Sequence, residues 1–150
     1  MRDHFAELLT AFGQEIGIPD LAFDANGTCS LIFDDMVVNI EKNTEGEKIF
    51  LYSTVGTLPA TDKEPFYKML LEANAFFKGT GGGTLAIDEP SCAVLFLYQM
   101  SVKAMDNAAF SRTIENFINI TEHWVNKLNG QHASQGSVGS DAPRHVGMRV

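Results

Sequence analysis

Three stretches of the chain put apolar side chains on both faces of a strand, and this narrows the possible folds more than any other feature. In SLIFDDMVVNI (30–40), Leu31 and Phe33 alternate with Ile32. In KIFLYSTV (48–55), Ile49, Leu51 and Val55 oppose Phe50 and Tyr52. In CAVLFLYQM (92–100), Val94, Phe96 and Tyr98 oppose Leu95 and Leu97. Successive strand side chains point to opposite faces, so each pattern describes a sheet that is apolar on both. Both faces then need cover. A chain of 150 residues has room for one core. Cover must come from its own helices, from another subunit or from a bound polypeptide. A sheet sandwiched by its own helices is the simplest of these readings and stays open.

The helices that could supply cover are short. Phe5, Leu8, Leu9, Phe12 and Ile16 recur at helical spacing and predict a first helix over 4–16, capped by Asp3 and ended by Gly17. LAFD (21–24), TCSLIFDD (28–35), MVVNIEK (36–42) and KIFLYSTVG (48–56) then read as an antiparallel meander. A second helix opens at TLPATDKEP, with Asp62 as cap and Pro65 in the first turn. It carries Phe66, Met69, Leu70, Ala73, Phe76 and Phe77, and Tyr67 and Leu71 widen its apolar stripe beyond what one core face needs. TLAID (84–88) and CAVLFLYQMSV (92–102) read as a hairpin, and Asp106 caps a third helix whose stripe ends at Leu128. The expected class is α+β, a mainly antiparallel twisted sheet with three helices in the order α-β-β-β-β-α-β-β-α. Residues 1–129 form the domain. Residues 130–150 are rich in Gly, Ser and Gln and lack an apolar period, so their composition predicts a disordered tail.

Little in the chain points to catalysis. The glycines of FKGTGGGTLAID (77–88) follow a helix and precede a strand, the reverse of a phosphate loop, and neither the Walker nor the Rossmann spacing is met. They read as a tight turn, with Gly79 ending the helix in a left-handed conformation. His4, His123, His132 and His145 have no metal-type spacing. The pairs Asp34-Asp35, Asp88-Glu89 and Glu45/Glu47 lie at strand ends or turns. No G-x-S-x-G elbow occurs. The expectation is therefore no catalytic, cofactor or metal residue, and no enzyme. Cys29 and Cys92 sit in apolar runs and read as buried, reduced thiols of an intracellular protein. No stretch has the length of a membrane span and the start lacks a signal peptide's apolar run. A net charge of −8 disfavours nucleic acid and anionic membranes.

The order of elements resembles the class I chaperones of bacterial type III secretion, the Tir-chaperone (CesT-like) family. The segments LLTAFGQEIGIPDLAFDANGTCSLIFDD, LYSTVGTLP and LLEANAFFKGTGGGTLAID carry the resemblance, which covers about residues 5 to 128. It implies a small, acidic, cytoplasmic homodimer without ATPase activity. It also implies binding of the N-terminal segment of a secreted effector in extended form, which keeps the effector competent for export. The tail departs from the pattern, and docking at the secretion machinery, its ATPase included, is a role left open for it. On this reading Phe5, Leu9, Phe12, Leu31, Phe33, Val38 and Ile40 form the effector groove, each with core packing as its alternative. Phe66, Tyr67, Leu70 and Phe77 form the dimer surface. A non-catalytic α/β scaffold and a small-ligand-binding module are the competing functions.

Overall fold

A computed structural model describes residues 3–43 and 48–140. The first helix, α1 (His4–Ile16), begins and ends where its caps require. The Asp3 carboxylate accepts from the amides of Phe5 and Ala6 at 3.1 and 3.4 Å, and Gly17 closes the last turn at φ 86°. The same carboxylate receives the Lys42 ammonium at 2.7 Å, tying α1 to the second strand. That hydrogen bond, more than any other influence, holds the Asp3 carboxyl below its ordinary range. A depressed carboxylate stabilises the fold above its unfolded pKa, and the contribution fades as pH falls through the folded value. Asp3→Ala is therefore expected to cost about 1 kcal/mol at neutral pH, with a smaller difference in acid. Paired urea titrations at pH 7 and in strong acid check this. An equal difference at both would contradict the ionic part of the account.

Leu21 is buried, but LAFD does not form the expected strand. The Asp24 carboxylate takes the amides of Asn26 and Thr28, and the Asp24 amide bonds to the Thr28 carbonyl. These local bonds use backbone groups that a ladder would need. The sheet therefore has five strands: β1 (Thr28–Phe33), β2 (Met36–Lys42), β3 (Lys48–Thr57), β4 (Thr84–Asp88) and β5 (Ala93–Ser101). They run antiparallel in the order β1-β2-β3-β5-β4. The last two form the expected hairpin.

One face of the sheet carries the core. Leu31, Val38, Ile40, Ile49, Leu51, Val94 and Phe96 point into it and meet Leu8, Leu9 and Phe12 of α1. They also meet Phe110, Ile114, Phe117, Trp124 and Leu128 of α3 (Asn107–Ser140), which Asp106 caps through the Ala109 amide at 2.7 Å. Phe96 and Phe117 stack with centroids 5.0 Å apart, and Phe12 meets Phe110 edge-on at 5.9 Å. The second helix, α2 (Glu64–Asn74), packs at the β4 end and buries Phe66 and Leu70. Asp62 does not cap it. That residue sits at φ 57°, the cap position is Lys63, and no side chain bonds there.

The largest departure from expectation is at the C-terminal end. α3 runs past Leu128 and Gly130 to Ser140, so the expected disorder does not hold for residues 130–140. Residues 141–150 lie outside the described residues. Tertiary contacts explain the extension. His132 bonds through Nε2 to the Thr57 carbonyl at 2.7 Å, its ring lies 4.7 Å from that of Phe66, and the Gln135 amide reaches the Asp62 carbonyl at 3.4 Å. Such contacts override the weak helix propensity of Gly and Ser. Truncation after Asn129 should accordingly lower stability by roughly 1–2 kcal/mol. His132→Ala should reproduce part of that loss in thermal melts. An unchanged melting temperature in both would show that the extension rests loosely on the domain.

Candidate protein-binding surfaces

The apolar side chains that strand alternation assigns to the second face remain in reach of solvent. Ile32 is 73% exposed and pairs across β1 and β2 with Val37, 45% exposed. Phe50, Tyr52, Leu95 and Leu97 follow on β3 and β5, each half-buried, with Tyr52 opposite Leu97. Desolvation, and then the neighbouring Glu41 that accepts from its hydroxyl at 3.3 Å, pushes the Tyr52 phenol up. Among the described residues the helices pack on the other side and none covers this face.

A second apolar patch lies at the opposite edge. Tyr67 and Leu71, one turn apart on α2, are exposed together with Phe76, Phe77 and Ile87. The backbone forces the two phenylalanines outward. α2 stops at Asn74, whose side-chain amide both donates to the Leu85 carbonyl and accepts from the Leu85 amide at 2.9 Å. The short 3-10 turn Ala75–Phe77 follows, with Phe76 and Phe77 both left-handed at φ 54° and 56°. Two adjacent aromatic residues in that region are strained by about 1–3 kcal/mol each. Phe76 ends 89% exposed. A strained turn that holds a ring in solvent makes this patch a candidate contact surface.

The glycine loop is structural. Gly79 keeps an ordinary negative φ and does not end the helix as expected, because the chain has already turned at Phe76. Gly81 and Gly82 are the left-handed residues, at φ 58° and 100°. A Cβ on Gly83 would fall 2.5 Å from the Phe96 ring, and the Gly79 carbonyl accepts the Trp124 indole N–H at 2.8 Å. The loop thus locks α2, β4 and α3 together. Among the described residues no group of His, Cys, Asp or Glu is placed to hold a metal ion, and no helix is long and apolar enough to cross a membrane. Cys29 is buried, and burial raises its thiol pKa.

The residues expected from sequence divide sharply between interior and surface. Leu9, Phe12, Leu31, Val38 and Ile40 are buried in the core, and only Phe5 and Phe33 of the expected groove are half-buried. Of the expected dimer residues, Phe66 and Leu70 are buried within the chain, whereas Tyr67 and Phe77 are exposed. Ile32, Val37, Leu71, Phe76 and Ile87 were not in either set. Alternation divides a strand into two sets but does not say which faces inward. The left-handed turn that exposes Phe76 has no signature in its own residues.

Residues 7–125 match the model of the Tir chaperone protein (CesT) family. The chain belongs to that family. The Tir chaperone of Citrobacter freundii is 26% identical over 124 residues, 83% of this chain and 79% of its own length. A Chlamydia pneumoniae protein is 30% identical over 125 residues, 81% of this chain and 94% of its own length. Among solved structures, a chain of the HopA1–SchA chaperone–effector complex superposes with a TM-score of 0.68 at 19% identity. The superposition covers 82% of this chain and 94% of that one. This CesT-family member therefore shares the family's α+β fold, and the family is one of chaperones rather than enzymes.

Proposed function

We propose that the protein is a cytoplasmic chaperone of type III secretion that works as a homodimer without ATP. It holds the N-terminal segment of a secreted effector extended and ready for export. Two uncovered apolar surfaces at opposite ends of one sheet carry this reading, in a chain whose relatives include Tir chaperones. The α2–β4 patch of Tyr67, Leu71, Phe76, Phe77 and Ile87 is the dimer surface, because a two-fold axis lets the same patch cover itself. The β1–β2 end, with Ile32 and Val37 beside the half-buried Phe5 and Phe33, takes the client. An extended segment there gains main-chain bonds at the free β1 edge and sets alternate side chains on the apolar face. The buried residues Leu9, Phe12, Leu31, Val38 and Ile40 support that surface from below. Ordering an unfolded segment costs several kcal/mol, so broad apolar contact is required. Co-expression with secreted proteins of the same bacterium, followed by affinity purification, tests the reading. One secreted protein should copurify through its N-terminal region, and copurification of none would refute the reading.

A further inference from the structure

The flank of α2 turned away from the aromatic patch has a different chemistry. Residues three or four apart share a helix face, so Tyr67 and Leu71 form one stripe, while Lys68 and Glu72 form the next, about 100° round the axis. Between that second stripe and α3 lies a cavity of about 530 Å³. Its apolar lining is Pro65, Met69 and Ala73 over the buried Trp124 ring, and Lys68, Lys78 and Lys127 meet around it, with His123 alongside. The Lys127 ammonium sits 5.1 Å from the centre of the Trp124 ring. Three of the chain's 11 lysines and arginines thus converge on one hollow in a protein of net charge −8. Among the described residues none of the three makes an ion pair, and Glu72 is the one carboxylate in the lining.

We infer that this trough between α2 and α3 docks a short acidic linear peptide of a partner protein, one carrying an apolar side chain between carboxylates. The apolar residue rests on the half-buried Met69 and Ala73, above the buried Trp124 ring, while the carboxylates reach the three ammonium groups. Charge decides among the occupants. The chain's own last ten residues carry Arg144 and Arg149 against Asp141, the wrong sign for this site. A nucleic acid backbone would extend beyond three cations into a surface that bears Glu64, Glu72 and Glu122. A peptide with a few spaced carboxylates ends where the lysines end. The trough lies apart from the aromatic stripe and from the β1–β2 end, so its occupation is compatible with both.

A short synthetic peptide of alternating Glu and Leu is the probe, titrated into the full-length protein. Trp124, the sole tryptophan, reports by fluorescence, and amide shifts map the site. Binding should shift Lys68, Lys78, Gly79 and the Trp124 indole, and should weaken as salt rises from about 50 to about 500 mM. Lys68→Gln with Lys78→Gln and Lys127→Gln should weaken it by about tenfold or more. The three Lys→Arg changes should retain it, with far-UV circular dichroism confirming that both variants fold. Client copurification should be unaltered in either, which separates this site from the chaperone reading. No binding at millimolar peptide, binding indifferent to the Gln changes, or equal binding of a single-stranded oligonucleotide would each overturn the inference.

Discussion

Leu71→Glu combined with Phe76→Glu is expected to turn the proposed dimer into monomers. Both side chains lie on the exposed α2–β4 patch, at 69% and 89% exposure, so the isolated subunit should tolerate carboxylates there. In a two-fold interface each change occurs twice, and unpaired carboxylates buried against apolar partners cost several kcal/mol. Light scattering should show the mass fall from twice that of the chain to that of one chain, with the circular dichroism spectrum retained. Leu70→Glu is the instructive contrast. Leu70 is 4% exposed within its own subunit, so a charge there should unfold the domain instead of splitting a dimer. A doubly substituted protein that stays dimeric, or a wild type that is already monomeric, would place the interface elsewhere or remove it.

The second large effect separates the two faces of the β1–β2 pair. Val38 is fully buried in the core and Val37, its chain neighbour, is on the uncovered face with Ile32. Val38→Asp should cost several kcal/mol and leave the domain largely unfolded at room temperature. Ile32→Asp should change the melting temperature little and abolish retention of the client. Melting curves and effector pulldown on the two variants distinguish the cases. Retained client binding by Ile32→Asp would move the groove off this face. Loss of fold in Ile32→Asp would show that the outer face is core.

These two experiments bear on what could be read from sequence. The caps Asp3, Gly17 and Asp106, the five strands with their alternation, and the presence of apolar side chains on both sheet faces are legible, because each rests on local chemistry or on a period of two or 3.6 residues. What failed needed tertiary information. LAFD has strand-like composition, but an Asx turn at Asp24 claims its backbone. Residues 130–140 look too polar to order, but His132 finds Thr57 and Phe66 across the fold. Alternation in β1 sets Leu31 and Phe33 against Ile32, but only the packing of the helices decides that Leu31, with Val38 and Ile40 of β2, goes into the core. For α2 the wide stripe was visible. The break at Asn74, fixed by its two bonds to Leu85, decides that Phe76 and Phe77 leave the stripe and face solvent.

Hydrogen exchange on the purified complex with its secreted client tests the central claim most directly. The prediction is protection confined to one continuous N-terminal segment of the client and, on the chaperone, to the β1–β2 end of the sheet. The remaining client would exchange as it does alone. Exchange that instead shows the client bound as an already folded domain, or protection on the chaperone that bypasses Ile32 and Val37, would contradict an extended segment held on the uncovered face of the sheet.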